Sequence, residues 1–393
     1  MPARTFMIPL LARVPGVPYL ANLVVVTLTS SSSTMIDTLD TLRAVPRFAL
    51  AAVLGVSLGA GRLSQRTAPP DAQRGVHVDS ARHLVVVTLG PFAVPPAPPV
   101  MSHMAMHMEG GDSLVKRVYW PMTTLLQGLR MEILDASGHP LPRRLIHHLN
   151  LVNFDRRQLV YPLAERMMGF GQETEDVSVP HSIGLPITAG QRIGVFVMWD
   201  NETGQTINDV TVRLTFSWAA GNLQPRPISV MPFIIDANLV VAGHNIFDVP
   251  PGGCTRHYDF RFPVDGHLVA ASGHLHDHGL WVRLVDRTTG KVVVTTTARR
   301  DSLGHVSGMS RELLALRGQG PHLKANHEYR LEARYENPSS DTLPGMMALM
   351  VGLFAPDDPR AWPSINPGDG DYQKDIADML GPAGWADASP RSN

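Results

Sequence analysis

The 393-residue sequence contains one cysteine, Cys254. An intramolecular disulfide and a cysteine-built zinc site are therefore both excluded. Charge is sparse and balanced: 18% of residues are charged, with 34 Lys and Arg against 35 Asp and Glu. A net charge of −1 gives no electrostatic footprint for nucleic acid or for an anionic membrane surface. Few segments keep a 3.6-residue apolar period, which excludes a helical bundle; "YQKDIADML" at 372–380 is the best short helix candidate. The apolar run "FALAAVLGVSLGA" at 48–60 is shorter than the ~20 residues of a membrane span.

That run is preceded by Arg43 and Arg47 and contains small residues at Ser57 and Gly59, a pattern that resembles a secretory signal peptide. Some 40 residues stand ahead of it. The expectation is a true start at Met35, an overlong N-terminus plus signal over residues 1–60, and export to a periplasmic or extracellular compartment. No stable membrane span is expected once the signal is removed.

What is abundant is Gly (34), Pro (33) and apolar residues (44%), a composition that favours short strands joined by turns around real cores. Residues 61–112, with "GPFAVPPAPPV" and a Met/His tract, read as a Pro-rich linker. From 113 the pattern becomes β. "DASG" at 135–138 and the turn at Asn201–Gly204 separate alternating runs, and "GNLQPRPISVMP" breaks the pattern at 221–232. A second β-rich block then runs to Phe354. These features predict an all-β protein of two tandem antiparallel, jelly-roll-like β-sandwiches, at 113–222 and 223–357, followed by a flexible tail at 358–393.

The chain has 17 histidines, some of them clustered. In "ASGHLHDHG", His274, His276 and His278 occupy every second position. Residues i and i+2 of a strand face one side, so His274 and His276 can converge on a metal, with metal–nitrogen bonds of ~2 Å. His278 joins them only if the strand continues, and Gly279 suggests that it ends there; the alternative for the whole cluster is a loop rim of solvated histidines. His147 and His148 in "RRLIHHLNLVNF" are adjacent, and adjacent strand residues face opposite sides. A shared ion there needs a strand end or a bulge, and one ring could equally face solvent. "MSHMAMHMEGG" carries Met101, His103, Met104, Met106, His107 and Met108, a thioether and imidazole set suited to Cu(I). Met346 and Met347 in "GMMALMVGLF" read, on spacing alone, as packing residues.

Taken together, these motifs resemble the type II copper, ascorbate-dependent monooxygenases, the group of peptidylglycine α-hydroxylating monooxygenase and dopamine β-monooxygenase. The features carrying the resemblance are the tandem His, "VPPGG" followed by "HLVAASGHLHDHG", and "NPSSD…MMALMVGLF". The match is nearer to the plant stress-up-regulated nodulin family, through "GFGQET", "GHLHDHG", "GHVSGMS" and "YENPSSDTLPGMMALMVGLF". The resemblance spans roughly 115–355. It implies two copper ions, ascorbate or another reductant, O2, and a small-molecule or peptide substrate. His274, His276 and Met347, with Met346 as the alternative, would hold the oxygen-reacting copper. His147 and His148 would bind the second. Where the family has its third histidine, "VFVMWDN" offers Met198, a ligand that favours Cu(I). His278 is extra, and the family's disulfides are absent. Two functions follow as expectations: a copper-dependent monooxygenase, or a non-catalytic Cu(I)-binding or stress-associated β-sandwich protein.

Overall fold

The computed structural model describes residues 75–97, 113–171, 176–221, 223–238, 245–315, 319–381 and 384–385. The strand Ile207–Trp218, "INDVTVRLTFSW", shows how the sequence builds the first half. Val210, Val212, Leu214, Phe216 and Trp218 alternate with half-buried or exposed residues and all face one core. Its neighbours are Leu84–Val94 and Thr124–Leu134, both antiparallel. That sheet continues outward to Val76–Asp79 on one side, and to Ile183–Ile187 and the parallel-paired Ile228–Ser229 on the other. A second sheet orders Ser113–Tyr119, Arg192–Trp199, Ile146–Arg157 and Ala164–Gly171. Trp120, Leu149, Leu151 and Val195 share one core cluster with the first sheet's apolar face.

The second half repeats the plan. One sheet orders Met231–Asp236, Ala348–Pro356, Gly266–Leu275 and Glu312–Leu313, with His322–Leu323 also paired to Gly266–Leu275. The other orders Cys254–Phe260, Tyr329–Tyr335, Gly279–Asp286, Lys291–Arg300 and Val306–Met309. The pair Phe247–Val249 and Leu343–Met346 lies alongside. Each half uses the same device after a core strand. Asn201 and Asn337, both buried, donate through Nδ2 to the carbonyls of Val94 and Val249 and to a carbonyl four residues on. Their Oδ1 atoms accept from Thr203 and Ser339, closing side-chain turns. The all-β, antiparallel sandwich expectation holds.

Two expected boundaries change. Val76–Asp79 and Leu84–Val94 fall inside the stretch read as a linker, and the first sandwich begins with them rather than at 113. The prolines of 91–99 drew that reading. They hid the alternation of Val85, Val87 and Leu89, each at most 2% exposed. The stretch read as a tail contains the helix Gly370–Leu380, which encloses the helix candidate at 372–380. Asp369 caps it by accepting from the backbone N–H groups of Asp371 and Tyr372. Leu380 packs with Phe154 and Phe196 on the first half. Asp375, 4% exposed, accepts from the Ala164 N–H at 3.0 Å and from the Arg166 guanidinium, at 2.8 Å for Nη1. A Gly- and Asp-rich composition concealed this docking, which joins a short apolar face, Tyr372, Ile376, Met379 and Leu380, to one buried carboxylate.

The halves interlock elsewhere. Leu159, Tyr161 and Leu163 follow a strand of the first half but belong to the second core. The Trp362 indole N–H donates to the Arg157 carbonyl at 3.0 Å. No helix among the described residues is long and apolar enough to cross a membrane. Residues 1–60 and the Met/His tract at 101–112 lie outside the described residues, so the signal and copper-capture expectations on them have no structural account.

Asp375→Ala would leave Arg166 without its carboxylate and the Ala164 N–H without its acceptor. The expected cost is about 2–3 kcal/mol, read as a lower urea midpoint; an unchanged midpoint would mean the carboxylate adds nothing to folding.

Candidate metal centre

Gly266–Leu275 runs antiparallel to Ala348–Pro356, with His274 opposite Leu349 and Leu275 opposite Ala348. Leu275, Ala348 and Met350 face the second core. His274 and His276, being one residue out of phase, face the other way and are half-buried. Beyond the last pair, Leu275 and Ala348, the chain continues into His276 on one side and Met347 on the other, and both are half-buried. Met346 points to the core instead, 9% exposed and packed within it. Met347, between the strands Leu343–Met346 and Ala348–Pro356, is the half-buried one of the two methionines. The His274 and His276 rings lie 5.3 Å apart between centroids at 89°.

The end of this ladder is held by Tyr335, which is fully buried. Its hydroxyl accepts from the His276 backbone N–H at 2.9 Å and donates to the Met347 carbonyl. Burial raises the Tyr335 pKa far above its ordinary range, so the hydroxyl remains a donor at any physiological pH. Gly253, from "VPPGG", permits this packing. It takes φ +89°, and a Cβ there would lie 2.2 Å from the Tyr335 carbonyl oxygen. His276 Nδ1 lies 3.0 Å from the Gly345 carbonyl. A carbonyl only accepts, so Nδ1 carries the proton and the lone pair of the neutral ring is on Nε2.

Across the sheet, Asp236, Leu349 and His274 form one cross-strand row. The buried Asp236 carboxyl is pushed up to about 6 by desolvation, against hydrogen bonds from Asn238 and Asn245 and the nearby His274. Its backbone N–H donates to the Tyr161 hydroxyl at 2.9 Å, so the loop from the first half helps fix this row. Sequence reasoning did not find Asp236, which "FIIDANLVVA" presents as an ordinary strand-end residue.

His278 leaves the group. The strand ends at Leu275, and His278 occupies a turn with φ +68°. Its N–H donates to the Gly304 carbonyl at 2.8 Å, and its ring lies where a Cβ on Gly304 would stand, 2.5 Å from Nδ1. The Val306 N–H donates to Asp277 Oδ1 at 2.8 Å. "GHVSGMS" is therefore the support under "HLHDHG".

The first-half pair meets its stated condition. Ile146 stands opposite Trp199 and His148 opposite Met198, so His147 is the extra residue of a bulge at the strand's beginning. The two rings lie 4.1 Å apart between centroids at 60°. His148 sits between Gly171 and Met198 in one cross-strand row, and Met198 is 7% exposed. Each half thus brings two imidazoles close together, with a methionine paired to one of them in the first half and tied to one through Tyr335 in the second.

A third cluster was not visible in the sequence. His267, His322 and Asp357 offer ligand atoms within 4.8 Å of one another, the one such group of three His, Cys, Asp or Glu side chains among the described residues. Its members come from three separate segments with no motif spacing.

No protein-family model matches the chain, and no curated protein sequence matches it. Among solved structures, N-glycanase F shows 7% identity and a TM-score of 0.33, covering 68% of this chain and 95% of its own. A Sulfolobus turreted icosahedral virus protein shows 11% identity and a TM-score of 0.33 over 70% of this chain and 91% of its own. A cowpea mosaic virus particle protein shows 10% identity and a TM-score of 0.31 over 81% of this chain and 99% of its own. Likenesses at this level carry no argument about the present chain.

Tyr335→Phe removes one hydroxyl and leaves the His276 N–H and Met347 carbonyl without their bridge. A loss of about 1–3 kcal/mol in denaturant unfolding is expected; wild-type stability in this variant would show that the hydroxyl does not hold the ladder's end.

Proposed function

We propose that the chain is an exported copper-binding protein of the monooxygenase type, with one copper ion at His274, His276 and Met347 and a second at His147, His148 and Met198. The observation that supports this reading is that each half brings two close imidazoles near a methionine. His148 is paired with Met198 beside the bulged His147, and Tyr335 joins His276, next to His274, to Met347. Two nitrogens and a soft sulfur suit copper better than magnesium or calcium. Bound copper would supply one-electron redox chemistry, with O2 and ascorbate or another reductant as co-reactants and a C–H bond of a small molecule or peptide as the target. The chain's own part is positional. Gly345 orients the His276 ring, Tyr335 ties His276 to Met347, and the bulge at His147 turns two neighbouring rings together.

Met198 supports a second reading, a non-catalytic protein that holds or hands over Cu(I). A buried thioether beside His148 favours the reduced ion and resists cycling. In that case the Met/His tract with His103, Met104, Met106, His107 and Met108 serves as a capture arm.

Copper titration followed by EPR is expected to count two sites in the folded domains, with His276→Ala losing one and keeping the other. Absence of bound copper at both clusters would sink both readings. Ascorbate-dependent O2 uptake by the copper-loaded protein is expected from the monooxygenase; two bound coppers without uptake would select the Cu(I)-holding protein. Export predicts a secreted product whose N-terminus lies near residue 60, and an intact Met1 on that product would refute it.

A further inference from the structure

At the opposite end of Gly266–Leu275, the strand that bears His274, three neighbouring segments converge. His267, the second residue of Gly266–Leu275, is paired with His322 on one side and Ala355 on the other. Asp357 comes directly after the end of Ala348–Pro356. The His267 and His322 rings lie 4.6 Å apart between centroids. His322 Nε2 lies 2.8 Å from Asp357 Oδ2, and His267 Nε2 lies 3.7 Å from Asp357 Oδ1. Ligand atoms held tetrahedrally on zinc at 2.0–2.2 Å stand roughly 3.3–3.5 Å apart, between those two distances.

The protonation pattern points the same way. His267 Nδ1 lies 3.1 Å from the Gly320 carbonyl, which can only accept. Nδ1 then carries a proton, leaving Nε2 as the ring atom on the carboxylate side, 3.7 Å from Asp357 Oδ1. A ring whose far nitrogen donates to a backbone carbonyl is the usual outer support of a metal-bound histidine. That carbonyl is firmly placed. Gly320 takes φ +82°, and a Cβ there would lie 2.1 Å from the Leu268 carbonyl oxygen, so the loop passes too close for any side chain. Asp357 is held as well, its N–H donating to the Asp265 carbonyl at 3.1 Å.

We propose that His267, His322 and Asp357 form a binding site for a divalent transition-metal cation of the zinc class. The side chains are 20%, 33% and 46% exposed, so an ion enters from solvent and water completes its coordination. Two imidazoles and one carboxylate suit Zn2+, and the set lacks the thioether of the two candidate copper sets. Bound there, the cation would fasten the short strand His322–Leu323 to the ends of two longer ones. The inference is independent of the copper reading, because it shares no residue with either of those groups.

The test is calorimetric titration of Zn2+ into the chelator-stripped full chain, alongside Asp357→Asn, His322→Gln and His276→Ala. Asp357→Asn and His322→Gln are each expected to lose one zinc equivalent that His276→Ala retains. Zinc should also raise the wild-type Tm more than that of Asp357→Asn, since an ion bound only by the folded state stabilises it. Asp357 is exposed, so Asp357→Asn should fold with a near-wild-type metal-free Tm. The same zinc count and affinity in wild type and Asp357→Asn would overturn the proposal and leave an ordinary His322–Asp357 ion pair. Loss of the equivalent in His276→Ala but not in Asp357→Asn would overturn it too, by placing the zinc at the His274 group.

Discussion

The Tyr335 hydroxyl is the contact on which the rest of the second half's arrangement depends. It sits where the ladder between Gly266–Leu275 and Ala348–Pro356 stops, joining the backbone of His276 to that of Met347. Without a bridge, two strand ends fray and the side chains beyond the last pair lose their fixed positions. The ring that carries the hydroxyl is itself fixed, edge-on to Phe247 and with Gly253 against its carbonyl. A buried phenol needs a partner for its polar tip, and here both of its hydrogen-bonding roles are used on the two segments that carry the candidate ligands.

The first half reaches a similar grouping by another route. There the candidate residues are adjacent, and one extra residue in Ile146–Arg157 turns two rings to within 4.1 Å of each other. In the second half, His274 lies at the end of a strand and His276 follows just beyond it, held by Tyr335 and Gly345. The buried asparagines Asn201 and Asn337 show that the halves share loop construction as well as sheet order. Neither half stands apart, since Tyr161 from one supports Asp236 in the other and the C-terminal helix returns to the first. The environment of His274 is thus built by residues from both.

Much of the β architecture was legible in the sequence because alternation along a strand is a local property. "INDVTVRLTFSW" announces its buried face without reference to anything else. Reading failed where composition masked that signal, at Leu84–Val94 among prolines and at Gly370–Leu380 in a Gly- and Asp-rich stretch. The pairing of His274 with His276 was also legible, since a period of two is fixed by the strand itself.

Other features were decided only by tertiary structure. Whether His147 and His148 share a side depended on a bulge, which is a relation between two strands and leaves no mark in "RRLIHHLNLVNF". Met346 is packed in the core while Met347 is half-buried, a difference that neighbouring methionines in "GMMALMVGLF" do not reveal. His278 was removed by a turn held from Gly304, and Asp236 joined His274 through a third strand. His267, His322 and Asp357 had no spacing to read, because three chain segments far apart in sequence meet only when the sheet closes. The sequence by itself determined which strands form and which of their faces are apolar, since both follow from neighbouring residues. Which side chains meet across those strands was settled by the long-range hydrogen bonds that set register, and no local pattern encodes them.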